Sequence, residues 1–267
     1  MSRHWLINPT WRCHNAGVCR YCWVNQTIRE RPELYHVKER DMEVWARAIY
    51  RDEIEVVDIA GGEPLLLPWI GALIEACPYT VFGLSTNGLS YREIMRLCKL
   101  APINLVSINV SYHPDAARTR EGYAEQWRRG VTAFAGAGFM VHTNVVSYED
   151  NEAVASPTRA WLEAQGIRCI VSPYEHMDTL SDKQAQGLCC KGGVNHMTVA
   201  PDGTAWPCLT TLRSPYWREM ALGNWLDGTA DVGRKEQPCH LNCVDYFVLP
   251  SQHSSGDMWH IEAMPCG

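Results

Sequence analysis

Pro9-Thr10-Trp11-Arg12-Cys13-His14-Asn15-Ala16-Gly17-Val18-Cys19-Arg20-Tyr21-Cys22-Trp23 sets three cysteines within ten positions of one another. The apolar residues Trp5, Leu6 and Ile7 precede this run. Gly61-Gly62-Glu63-Pro64 begins 39 residues after Cys22 and follows a largely apolar segment at 54–60. Each motif stands just past a strand-like segment, where loops carry chemistry on a rigid scaffold. Three thiolates in one short loop can hold three corners of a four-iron cluster and leave the fourth iron open to a ligand. A Gly-Gly-Glu-Pro turn offers bare backbone and one carboxylate, suited to gripping an amino group. The alternative for the cysteines is a structural zinc site, which needs four ligands and would recruit His14.

The apolar segments at 5–8, 54–60, 80–85, 103–110, 140–146 and 167–172 are short and read as buried parallel strands. Between them, 37–52, 68–76, 91–100, 116–137 and 149–165 carry apolar residues at three- and four-residue spacing and read as amphipathic helices. Strands alternating with helices in this way predict an α/β fold with a parallel sheet, open or curled into a partial barrel. In such barrels the chemistry sits at the C-terminal strand ends. Ser85, Asn87, Ser107, Asn109, Asn144 and Ser172 fall at or near the ends of the third to sixth strands.

Past residue 180 helical periodicity fades and Gly, Pro and Cys become frequent, so a boundary is expected near 181. This part contains Cys189-Cys190, Pro201-Asp202-Gly203, Cys208, the pair Cys239 and Cys243, and Cys266. Pro-Asp-Gly between apolar flanks predicts a β-hairpin turn, with glycine at the positive-φ position. Such a hairpin would bring Cys190 and Cys208 together.

The 267 residues include 12 cysteines and carry a net charge of −6. No secretion signal or membrane-length apolar run is present, so the chain is expected to be cytoplasmic and its cysteines to be metal ligands rather than disulfides. Cys77, Cys98 and Cys169 stand alone in apolar segments and read as small core residues. The negative charge and the lack of a basic block argue against nucleic acid as a partner. Eleven tryptophans against four phenylalanines have no functional reading here.

The two motifs together resemble the radical S-adenosylmethionine (radical SAM) family. The usual loop of that family is Cys-x3-Cys-x2-Cys. Here five residues separate Cys13 from Cys19, while Cys19-Arg20-Tyr21-Cys22 keeps the aromatic before the last cysteine. The C-terminal part resembles the twitch domain, a shortened relative of the SPASM domain. The resemblance implies a partial (β/α)6 TIM barrel over 1–180 and a small Cys-rich α+β domain over 181–267. It implies a SAM-binding 4Fe-4S cluster on Cys13, Cys19 and Cys22, and an auxiliary 4Fe-4S cluster on Cys190, Cys208, Cys239 and Cys243. Cys189 and Cys266 stay unassigned, and a zinc ribbon on the same four thiolates is the alternative.

In this family a reduced cluster passes one electron into SAM, and the resulting 5′-deoxyadenosyl radical takes a hydrogen atom from substrate. Carried over by position, Gly61, Gly62 and Glu63 would hold the methionine amino group, and Tyr21 would lie against adenine. Ser85, Asn87, Ser107 and Asn109 would bind ribose hydroxyls or the carboxylate. Glu175, His176 and Asp178 follow the sixth strand and His113 follows the fourth, with Asp115 and His142 nearby; any of them could accept a proton released in a radical oxidation. Three functions compete. One is an oxidoreductase or bond-forming enzyme on a small molecule. Another is a maturase of a ribosomally made peptide, whose leader would need a separate partner because the first strand begins by Trp5. The non-enzyme alternative is a two-zinc binding protein. Either enzyme would need a flavodoxin- or ferredoxin-type electron donor.

Overall fold

The computed structural model describes residues 3–147, 151–173, 188–190, 192–213, 217–233, 237–238 and 263–265. Six parallel strands pair in chain order: β1 (His4–Ile7), β2 (Val56–Ile59), β3 (Val81–Thr86), β4 (Leu105–Tyr112), β5 (Val141–Ser147) and β6 (Arg168–Pro173). α1 (Trp23–Glu30) and α2 (Met42–Arg51) lie between β1 and β2. The later crossovers carry α3 (Ile70–Ala76), α4 (Tyr91–Leu100), α5 (Pro114–Thr119) with α6 (Tyr123–Gly136), and α7 (Glu152–Ala164).

Strand side chains alternate between two faces. One face turns to the helices and is apolar: Trp5, Ile7, Val57, Ile59, Phe82, Ile108, Val110 and Val145 are fully buried in the core. The other face turns inward and is largely polar, with Asn8, Asp58, Ser85, Asn109, Ser111 and Asn144. Inward residues from β1 to β5 border one cavity, so the sheet curls into a partial barrel.

Two predicted elements differ. β4 runs on to Tyr112, which adds Ser111 to the inward face. The single helix predicted at 116–137 is two helices, because Arg120 is extended and Gly122 has φ +72° at the start of α6. α1, directly after Cys22, was not expected at all.

Past the expected boundary the backbone joins the same sheet. β8 (His196–Val199) pairs parallel to β1 on the side away from β2. β9 (Thr204–Trp206) pairs antiparallel to β8, and β10 (Gly223–Asn224) antiparallel to β9, giving nine strands. The Pro201-Asp202-Gly203 hairpin is present: Gly203 has φ +98°, and Ala200 N–H donates to Thr204 O at 2.8 Å. α8 (Leu209–Arg213) follows it. β7 (Leu188–Cys190) lies between β11 (Gln237–Pro238) and β12 (Ala263–Pro265) in a separate three-stranded sheet.

Five of the tryptophans (Trp5, Trp45, Trp127, Trp206 and Trp225) are fully buried, so packing accounts for much of their abundance. Trp225, beyond the hairpin, meets Trp5 and Trp45 at 6.5 and 6.3 Å between ring centroids. Its indole donates to Asp52 at 2.5 Å, which fastens the later segment to α2 and its flank. Cys77 is buried as expected, whereas Cys98 and Cys169 are only half-buried at the core's edge.

Candidate active site

The cysteine loop leaves β1 at Asn8 and runs across the C-terminal ends of the strands. Inside it, Ala16 N–H donates to Cys13 O at 3.2 Å and Val18 N–H to Asn15 O at 3.0 Å. Two donors reach the Cys13 sulfur: Asn15 N–H at 3.4 Å and the Asn87 side-chain amide at 3.7 Å. The same Asn87 amide nitrogen lies 3.3 Å from His14 Nδ1, the fourth ligand that a zinc site would have recruited. Among the described residues no three Cys, His, Asp or Glu side chains are gathered to hold a single metal ion.

Burial pushes the Cys13 thiol up to about 11, against the Asn15 hydrogen bond that lowers it. Cys19 is raised as well, first by burial and then by Cys22 and Cys13. Three neighbouring sulfurs, Cys19 buried and Cys13 and Cys22 half-buried, that repel each other as thiolates suit a cationic centre, which would supply the compensating charge. The donor set therefore fits an iron–sulfur cluster.

The Gly61–Pro64 turn serves the cysteine loop first. Gly62 N–H donates to Thr10 O at 2.8 Å and Glu63 N–H to Arg12 O at 2.7 Å. Gly61 has φ +106°, and a Cβ on Gly62 would lie 2.2 Å from Arg12 O. Only glycine allows the two loops to approach this closely. Gly61 and Gly62 still border the cavity.

Glu63 corrects the expectation that its carboxylate reaches a ligand's ammonium. The side chain is fully buried and does not line the cavity. It accepts Asn87 N–H at 2.6 Å, the Thr86 hydroxyl at 2.7 Å and Leu65 N–H at 3.0 Å. Three donors from its own turn and from the end of β3 hold the carboxylate inward. Burial raises Glu63 to about 7 despite these bonds.

The cavity measures about 340 Å³ and is bordered by Cys13, Cys19 and Cys22 together with strand-end residues. Of the predicted residues, Tyr21, Ser85, Asn87, Asn109, Asn144 and His113 line it. Ser107 does not: it is buried one inward position below Asn109, because β4 extends further than predicted. His142 does not border the cavity, and Asp115 binds the loop backbone instead. Tyr21 stacks on His113 at 6.0 Å, and its hydroxyl is hydrogen-bonded to His113 Nδ1 at 2.8 Å. Burial lowers His113 to about 4, so the ring is neutral at pH 7.

Sequence reasoning missed Asn8, Asn15, Asn25 and Ser111 at this cavity. Asn8 could have been found, since it ends β1 as Asn87 ends β3. The Oδ1 atoms of Asn8, Asn109 and Asn144 are buried with no partner among the described residues. Such acceptors call for N–H or O–H donors from a ligand. An amino acid ammonium and ribose hydroxyls have that character, so the lining fits SAM.

Of the second cysteine set, Cys208 is buried, with its sulfur 3.9 Å from the Thr211 hydroxyl. The backbone of Cys189 and Cys190 lies in β7. Cys239, Cys243, Cys266, Glu175, His176 and Asp178 lie outside the described residues.

A family profile described as the Radical SAM superfamily matches residues 7–154. No curated protein matches the chain. Among solved structures, a histidine-tagged anSMEcpe with bound AdoMet is similar, with 15% identity, a TM-score of 0.61, and coverage of 86% of this chain and 79% of that one. Native anSMEcpe with bound AdoMet and the Cp18Cys peptide is similar with 16% identity and a TM-score of 0.58, over 85% of this chain and 78% of that one. At such identities the likeness is one of fold. The profile covers more than half of the chain and includes the cysteine loop, the glycine turn and the cavity's strand ends from β1 to β5: the chain belongs to the radical SAM superfamily of enzymes.

Proposed function

We propose that this enzyme reductively cleaves SAM and uses the resulting radical to abstract a hydrogen atom from a small-molecule substrate, with an auxiliary 4Fe-4S cluster assisting oxidation or bond formation. The observation that carries this reading is the single cavity bordered by Cys13, Cys19, Cys22, Gly61 and Gly62 at the C-terminal ends of the strands. Cys13, Cys19 and Cys22 would hold a four-iron cluster, which when bound would supply the electron for reductive cleavage of SAM. Asn8, Asn109 and Asn144 would accept hydrogen bonds from the ligand, and Gly61 and Gly62, which border the cavity, would hold its ammonium. Tyr21, held by His113, lies against adenine.

Cys190, Cys208, Cys239 and Cys243 would hold the auxiliary cluster, and a flavodoxin- or ferredoxin-type protein would supply the electrons. A second reading, a maturase acting on a peptide, is favoured by the likeness to anSMEcpe, whose structure has AdoMet and a peptide bound. The two-zinc alternative predicts zinc and no SAM cleavage.

The anaerobically reconstituted protein, reduced with dithionite, is expected to form 5′-deoxyadenosine from SAM. Replacing Cys13, Cys19 and Cys22 with alanine should abolish it. Full cleavage in that triple variant would sink the assignment.

A further inference from the structure

The segment between Cys13 and Cys19 is longer than the family spacing, and a longer loop loses more entropy when it is held in one conformation. Three side chains outside the loop hold it. Asn25 on α1 clamps both strands of the turn: its Oδ1 accepts Gly17 N–H at 3.1 Å and its Nδ2 donates to Cys19 O at 3.1 Å. Arg120 donates from one nitrogen to Asn15 Oδ1 at 3.1 Å and to His14 O at 3.4 Å. Asp115 accepts Arg20 N–H at 2.9 Å, and its other oxygen lies 3.6 Å from the Arg20 guanidinium.

Asp115 and Arg120 belong to one short element. Asp115 is in the first turn of α5, and Arg120 is the extended residue that ends it. The break before α6, which helical periodicity did not predict, turns Arg120 away from the helix axis and onto the loop. The two side chains carry opposite charges to opposite ends of the loop: the Asp115 carboxylate, 7% exposed, beside Cys19 and the Arg120 cation beside His14. The potential of an iron–sulfur cluster depends on nearby charge, on hydrogen bonds to its sulfurs and on exposure. A buried anion opposes the arrival of an electron, and a cation favours it.

We propose that Asp115 and Arg120 are positioning residues that brace the long cysteine loop, and that their charges set the reduction potential of the cluster it holds, Asp115 lowering it and Arg120 raising it. The inference rests on the reading of this loop as the cluster site. It assigns α5 a role in preparing the centre, separate from substrate binding.

The test uses the full chain in two states. In metal-free protein, Asp115→Ala and Arg120→Ala should speed alkylation of Cys13 and Cys19 by about tenfold, the effect of losing one charge-assisted hydrogen bond. Cys77, buried in the core, is the reference thiol; if it accelerates in parallel the fold itself has loosened, and the decision passes to the milder variants. Asp115→Asn keeps an acceptor for Arg20 N–H, and Arg120→Gln keeps a donor, so both should retain slow alkylation and full iron. In reconstituted protein, the midpoint potential of the electron paramagnetic resonance signal that responds to SAM should rise in Asp115→Asn and fall in Arg120→Gln. Unchanged Cys13 and Cys19 alkylation in both alanine variants overturns the brace. Unchanged potentials in the two isosteric variants overturn the electrostatic role. Wild-type protein that takes up no iron overturns the reading of the loop itself, while the metal-free alkylation still judges the brace.

Discussion

Glu63 shows how one side chain can serve a site that it does not face. Its carboxylate joins the glycine turn to the end of β3 and so places Asn87, whose amide reaches the Cys13 sulfur. Glu63→Gln turns an acceptor into an amide that must point N–H₂ at one of three donors. Leaving a buried donor unmatched costs about 1–3 kcal/mol. Urea denaturation should show a loss of that size, with weaker SAM binding only as a consequence through Asn87. Equal stability combined with lost SAM affinity would instead return the carboxylate to the ligand. Gly62→Ala is expected to be harsher on the site, because the new methyl would meet the Arg12 carbonyl at 2.2 Å. Overpacking of this kind costs about 1–3 kcal/mol. The variant should lose iron from the cysteine loop, and full iron retention would show that the two loops can separate without harm.

At the scale of elements, the junction of β1 and β8 controls response to acid. His4 and His196 are register partners there, edge to face at 5.5 Å, and His4 is hydrogen-bonded to Asp58 on β2. Burial, then the nearby His4, lowers His196 from 6.5 to about 3. A group with a depressed folded pKa takes up protons more readily in the unfolded chain. The stability that His196 contributes is therefore complete above pH 6.5 and is lost as pH falls toward 3, at up to about 1.4 kcal/mol per pH unit. Glu63, raised from 4.5 to about 7, acts in the opposite sense: stability falls as pH rises through that window. The difference between wild type and His196→Gln isolates the histidine. Denaturation midpoints between pH 7.5 and 5 should fall more steeply in wild type, and parallel profiles would remove His196 from the account.

At the scale of the whole molecule, the segment that carries Cys208 is continuous with the barrel's sheet. β8 and β9 extend the parallel sheet directly, and Cys208 stands buried just past β9. Our proposal of an auxiliary cluster predicts about eight irons per chain after full reconstitution, and about four in the Cys13, Cys19 and Cys22 triple variant. A triple variant that holds zinc or no metal would show that the later cysteines do not form an iron–sulfur site.

Local pattern alone determined much of this chain. The six parallel strands followed from short apolar runs between amphipathic stretches, because a strand covered by helices must be apolar on its buried face. The cysteine loop and the glycine turn were legible because they are contiguous motifs, and their positions at strand ends follow from the barrel's topology. The hairpin at Gly203 was legible because its turn needs a positive φ. Relations between distant segments were not legible. Whether Glu63 faces a ligand or the end of β3 depends on Thr86 and Asn87, more than twenty positions away. Ser107 and Ser111 share one face of β4, and only the strand's true end decides which of them reaches the cavity. Arg120 read as an ordinary helix residue and Asp115 as a possible proton acceptor after the fourth strand, since periodicity and position do not report what lies opposite a side chain. Tertiary packing decided these points: a hydrogen bond is won by whichever partner the fold brings within about 3 Å, and sequence spacing does not encode that distance.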